Sequence, residues 1–266
     1  MNKLWFADYN KVYAQPEQEN EYLYSSKITL ITDLEQLFPE FQKESEFLWS
    51  KEKQSLRVFL DSEKFDDKQF PYNSWKKIPL MVWGILFPQK TIFFSKISNI
   101  IYENDEVISC QIAKLAPKSK IHSHCGETNA IYRIHLCLKT KWDSNFNNTA
   151  YFDLNGDKKI WKEGEAFGFI DAVNHKAFNN SDEDRYVLIV DVLRSEFKQK
   201  KYFIISRIIT SQLYLMMLSY MGFLNIKYLT HSNLIFILQI ILFLPIMLAL
   251  LINKTYSKIY NSIKRK

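Results

Sequence analysis

Hydrophobic and polar positions alternate in short runs through the middle of the chain, and the period lengthens towards both ends. Ile108, Cys110 and Ile112 alternate with Ser109 and Gln111, which predicts a half-buried strand leading to Pro117. In the run Ile131 to Leu138, Tyr132, Ile134 and Leu136 share one strand face while Arg133 and His135 share the other, because successive side chains point to opposite sides. Tyr151 to Leu154 and Lys158 to Trp161 flank Asn155-Gly156, a two-residue hairpin signal. Gly164 offers a further turn before the strand Ala166 to Ile170, and Tyr186 to Val192 is apolar enough to be a buried strand. Upstream, Leu34, Leu37, Phe38, Phe41, Leu48 and Trp49 fall at helical spacing behind a capping box, Thr32-Asp33-Leu34-Glu35, with Pro39 dividing the run into a turn and a longer helix.

Many short strands at close spacing predict a mainly β fold with flanking helices, its core a double-stranded beta-helix or jelly roll. Beyond Val192 the character changes. Tyr202 to Leu224 is apolar but carries Arg207, Thr210, Ser211 and Gln212, and Leu234 to Ile252 is nineteen residues without a charge. The second segment is long enough to be a transmembrane helix; the first either spans, with Arg207 snorkelling, or lies flat as an amphipathic helix. The expected organisation is an N-terminal helical and strand segment over 1–100, a double-stranded beta-helix core over 101–196, and a membrane anchor over 197–266 as a two-helix hairpin.

Charge sharpens that division. The net charge of +6 arises in the tail: no Asp or Glu follows Glu196, and the first 196 residues hold 25 basic against 29 acidic side chains. Nucleic-acid binding is not expected of such a domain. Lysines flank both apolar segments while the loop between them has only Lys227, so a hairpin puts the folded domain on the cytoplasmic side of the membrane. Cys110, Cys125 and Cys137 form no CxxC pair, which suits a reducing compartment, and MNKLWFADYNKVYAQ lacks the apolar core of a signal peptide. With 47% apolar and 15% aromatic residues, the chain can fill a sizeable core.

Four of the five histidines lie in two stretches, Ile121 to Leu138 and Phe169 to Val192, each ending in a strand that carries an arginine. His124 and His175, far apart in sequence, suit iron, zinc, copper or nickel, and Arg133 and Arg185 beside them suit a dicarboxylate held through forked hydrogen bonds. His122 competes with His124, since an H-x-H pair on one strand face could give two ligands; otherwise it is a partly exposed neighbour. Cys125 points away from His124 by strand alternation and reads as a small buried residue.

These stretches resemble the aspartyl/asparaginyl beta-hydroxylases, a family that includes bacterial lipid acyl-chain hydroxylases. The resemblance rests on Pro117, His124-Cys125-Gly126-Glu127-Thr128-Asn129, Arg133-Ile134-His135-Leu136, Trp161 to Gly164, Phe169-Ile170-Asp171 with His175, and Arg185 through Asp191-Val192. It implies that His124 and His175 bind Fe(II), that Arg185 grips the distal carboxylate of 2-oxoglutarate with Arg133 and His135 helping to seat it, and that molecular oxygen is consumed. It also implies that Asp171 replaces the carboxylate missing at Gly126, from outside the ligand set. Ile170 and Ala113 depart from the acid and serine usual at those places. The implied activity is hydroxylation of an unactivated carbon in peptidyl Asp or Asn or another membrane-associated substrate, with a lipid acyl chain at the inner face of a membrane as the alternative. A tethered cupin-like binding module without oxygenase activity is the reading from a different class.

Overall fold

The computed structural model describes residues 3–7, 13, 19–50, 75–220 and 232–264. Helix α1 (Leu30–Gln36) and helix α2 (Phe38–Ser50) are followed by strands β1 (Trp75–Val82) and β2 (Ile85–Leu86), then helices α3 (Pro88–Thr91) and α4 (Ser95–Glu103). The chain breaks between α1 and α2 at Leu37, beside Pro39, as its missing N–H requires. The expected capping box is corrected. Helix α1 starts a turn earlier, with Thr29 as its N-cap and no side-chain capping bond, so Thr32 lies inside the helix. Freed from that duty, Glu35 accepts the backbone N–H of Ala166 at 2.8 Å and ties α1 to the sheet.

Eight further strands build the body: β3 (Val107–Leu115), β4 (Ser119–His124), β5 (Ile131–Lys139), β6 (Ala150–Leu154), β7 (Asp157–Ile160), β8 (Ala166–Ile170), β9 (His175–Asn179) and β10 (Arg185–Leu193). They form two antiparallel sheets, one ordered β2-β1-β3-β10-β5-β8 and the other β4-β9-β6-β7. The N-terminal segment is therefore more than a cover, because β1 pairs directly with β3. Asn155 and Gly156, both at positive φ, make the tight β6–β7 turn.

Period two sorts the larger sheet into two chemically different faces. Cys110, Ile112, Ile134, Leu136, Leu188 and Val190 pack on α1, α2 and α4 in one apolar cluster. The opposite face, carrying Ala113, Cys137, Val187 and Ile189, packs against Phe152, Leu154 and Ala177 of the smaller sheet. Strand β3 is thus buried on both faces, rather than half-buried as its alternation predicts, because helices cover the side that water would otherwise wet. Arg133, His135, Arg185 and Asp191 belong to the inter-sheet face, and this is where the site lies.

After a 3-10 turn (Ser195–Lys200) come helices α5 (Lys201–Tyr220) and α6 (Ser232–Lys264). Ile204, Ile205 and Ile208 of α5 join Trp83, Ile108, Ala130, Ile131 and Leu193 in a third cluster, so the tail packs on the β body. Among the described residues one stretch, Ile235–Ile263, is long and apolar enough to cross a membrane.

Candidate functional site

The pairing of β4 with β9 sets His124 opposite His175, with ring centroids 4.2 Å apart. Each ring is fixed the same way: Nδ1 of His124 lies 2.8 Å from the carbonyl of His122, and Nδ1 of His175 lies 2.8 Å from that of Val173. With Nδ1–H donating, Nε2 carries the lone pair, the tautomer that a metal requires. Burial lowers the His124 pKa to about 4 and that of His175 well below the usual imidazole range, so both rings are neutral at pH 7. Among the described residues no cluster of three or more His, Cys, Asp or Glu is placed to bind a metal. His122 contributes its carbonyl while its ring stays half-buried, and Cys125 is half-buried rather than buried.

Gly126 explains how an acid from elsewhere enters. A Cβ at that position would fall 1.7 Å from Oδ2 of Asp171, so the Asp171 carboxylate occupies the space that a side chain two residues after His124 would need. The Gly126 N–H donates to the Asp171 carbonyl at 2.8 Å and locks the two loops together. Arg133 then binds both neighbouring acids, with Nη1 2.5 Å from Asp171 Oδ1, Nε 2.7 Å from Asp191 Oδ1, and Nη2 2.9 Å from Asp191 Oδ2. The register makes this possible by setting Asp191 opposite Arg133. Burial raises the Asp171 pKa, and Asp191 and Glu127 add to it while Arg133 opposes.

Deeper between the sheets a buried charge is unpaired among the described residues. Arg185 is 2% exposed, its guanidinium carbon sits 4.3 Å from the Trp161 ring centroid, and its Nε has no hydrogen-bond partner. No carboxylate lies within ion-pair distance of it among the described residues, and burial lowers its pKa to about 10. His135 is buried with both ring nitrogens unpartnered, inside a cage of Phe152, Trp161, Phe167 and Phe169 whose centroids lie 5.2–6.0 Å away. Burial pushes its pKa well below the ordinary value, so it is a neutral donor and acceptor. A buried cation without an anion, beside a buried imidazole without a partner, is a costly arrangement unless a ligand completes it.

The structure adds residues that sequence reasoning passed over. Lys77 on β1 stands near Arg133, Asp171, Asp191 and Glu127; burial, then the Arg133 charge, lowers its pKa to about 7, and Nζ lies 3.6 Å from the Trp75 ring centroid. Its signal was alternation, since Trp75 and Lys77 share a strand face. Glu127, inside the histidine box, accepts a hydrogen bond from Gln212 Nε2 of α5 at 2.7 Å. Trp161 entered the sequence reading as the end of a strand run and as part of the resemblance, and nothing local marked it as the surface under Arg185.

The donor set fits a divalent transition metal in its nitrogen ligands: two neutral imidazoles held by carbonyls, with a carboxylate against Gly126. The orphaned groups of Arg185 and His135 fit a carboxylate-bearing small molecule.

A family model described as aspartyl/asparaginyl beta-hydroxylase matches residues 33–195. An ornithine lipid ester-linked acyl 2-hydroxylase from Rhizobium tropici is 25% identical over 120 residues, a match spanning 45% of this chain and 42% of that relative's length. Among solved structures, KdgF from Halomonas sp. aligns at 13% identity and a TM-score of 0.31, covering 53% of this chain and 97% of its own. The cupin domain of Schizosaccharomyces pombe Cnp3 aligns at 8% and 0.32, covering 48% and 72%.

Proposed function

The chain belongs to the aspartyl/asparaginyl beta-hydroxylase family, and on that footing we propose that it is an Fe(II)- and 2-oxoglutarate-dependent hydroxylase, built on a double-stranded beta-helix and held at a membrane with its catalytic domain facing the cytoplasm. The observation that carries this reading is the coexistence, between the two sheets, of a carbonyl-fixed histidine pair and a buried Arg185–His135 pair that is unpartnered among the described residues. His124 and His175 would hold the iron, which when bound supplies the oxygen chemistry that hydroxylates an unactivated carbon. Arg185 would receive a carboxylate of 2-oxoglutarate through charge-assisted hydrogen bonds, with Trp161 supporting the guanidinium from beneath. His135 would donate a further hydrogen bond to the co-substrate. Arg133 has two N–H groups left after binding Asp171 and Asp191, enough to touch a ligand while keeping the acid in place. The aromatic cage would exclude water.

For the substrate we favour a membrane lipid acyl chain, because the Rhizobium tropici relative acts on a lipid and an apolar helix accompanies the domain. A peptidyl Asp or Asn in a membrane-associated protein is the second reading, supported by the family itself. Mass spectrometry of lipids and membrane proteins from cells carrying the intact protein or His175→Ala at equal abundance separates them. One added oxygen on an acyl chain, lost in the variant, is expected; the same oxygen on Asp or Asn residues selects the second reading. If neither changes and the purified protein consumes no 2-oxoglutarate, the hydroxylase assignment fails in favour of a binding module.

A further inference from the structure

The C-terminal helices are built the wrong way round for a water-soluble domain. Helix α6 turns Gln239, Ser257 and Asn261 towards the protein, all buried, and turns Ile240, Leu244, Leu251 and Ile263 outward at 63–75% exposure. The amide N–H groups of Gln239 and Asn261 are used: Gln239 Nε2 donates to Ser206 Oγ at 2.9 Å and to the Phe203 carbonyl at 3.0 Å on α5. Asn253 accepts the Leu86 N–H at 2.7 Å and returns a bond to its carbonyl at 2.9 Å, and Asn261 Nδ2 donates to Tyr102 Oη at 2.6 Å. Helix α5 is bound to the β body in turn, through buried Ile204, Ile205 and Ile208 and through Gln212 on Glu127.

These contacts leave little of α6 clear of the folded domain. From Gln239 to Asn261 the helix runs about 33 Å at 1.5 Å per residue, against α5 at one end and against β2 and α4 at the other. A hydrocarbon core is about 30 Å thick, and the stretch from Ser232 to Gln239 supplies only about 10 Å. A helix that crosses a bilayer must leave its domain behind, whereas one lying in the interface need not. Exposed lysines accompany the apolar stripe: Lys198 and Lys254 pair with Glu106 and Asp105 of the domain, whereas Lys200 and Lys258 are exposed and no acidic residue follows Glu196.

We propose that α5 and α6 lie in the plane of the membrane interface, with the outward apolar stripe from Phe236 to Ile263 resting in an anionic lipid surface, and do not cross the bilayer. The loop of the histidine box is then braced against the membrane-bound element through Glu127 and Gln212, so the rim of the site opens beside the lipid. The proposal rests on the membrane association put forward above but not on the chemistry.

The test uses the full chain on phosphatidylcholine–phosphatidylglycerol vesicles, in a Cys125→Ser background, with a nitroxide on a cysteine placed at Ile240, Leu251 or Ile263. Depth is read from relaxation by oxygen against a water-soluble nickel complex, and circular dichroism confirms that each variant folds. Equal, shallow depth at all three positions is expected. A graded profile with one label near the midplane overturns the proposal, as do three labels that remain in water. Turnover of 2-oxoglutarate is measured on the same vesicles: uniform depth without turnover removes the hydroxylase reading and leaves the in-plane geometry standing.

Discussion

Two arginines on one inter-sheet face have opposite circumstances. Arg133 meets two carboxylates, forking onto Asp191 and lying at ion-pair distance from Asp171, whereas among the described residues Arg185 is buried over Trp161 with no anion, next to a histidine that has no partner at either nitrogen. Paired buried charges are architecture: the Arg133 ion pair holds Asp171 in the gap left by Gly126. Unsatisfied ones carry a desolvation cost in the folded protein, which a ligand can offset. The contrast therefore separates the part of the candidate site that stabilises the fold from the part that, on the proposed function, would receive a co-substrate.

The contrast makes opposite predictions for like substitutions. Arg133→Met strands two buried carboxylates and should lower unfolding stability by about 3–5 kcal/mol, read from urea denaturation in mild detergent; an unchanged midpoint would mean that the two acids are neutral or solvated. Arg185→Met should leave the ligand-free midpoint unchanged or higher, while 2-oxoglutarate affinity falls by roughly 3 kcal/mol, or more than about 100-fold. Calorimetric metal binding should persist in that variant, and parallel loss of both ligands would erase the distinction between the two arginines. Gly126→Ala forces a methyl onto Asp171 and should cost roughly 1–3 kcal/mol, with activity lost more completely than stability; full activity would place the carboxylate elsewhere.

The smallest effect concerns pH. His135, buried neutral, binds its proton far less readily than an unfolded imidazole near 6.5. Between the two pKa values the unfolded chain holds more protons, so stability is full above about pH 6.5 and declines as pH falls, by at most about 1.4 kcal/mol per unit for each such group. His135→Phe should remove one share of that slope and stabilise the ligand-free protein slightly. A steeper decline in the variant would show that His135 has a partner after all.

Much of this site was legible before the fold was. Period-two alternation alone put Arg133 and His135 on one face, and it would have put Lys77 with Trp75 had that strand been read for chemistry. The helix start was misplaced because Thr32 and Glu35 satisfy the capping pattern locally, while Glu35 is claimed by a strand 131 residues away. The alternation in β3 correctly named its two faces but misjudged their environments, since a helix layer can cover a face as well as water can.

By itself, the sequence determined the strand and helix periods, the two histidine stretches, the Asn155-Gly156 turn and the charge asymmetry of the tail, because each depends on residues within a turn or two of one another. Tertiary structure alone decided that Asp171 fills the space beside Gly126, that Arg133 is paired and Arg185 is not, and that Trp161, Glu127 and Gln212 belong to the site. Those relations depend on sheet register and on which elements pack together, and partners 24 to 85 residues apart leave no local signal of their meeting.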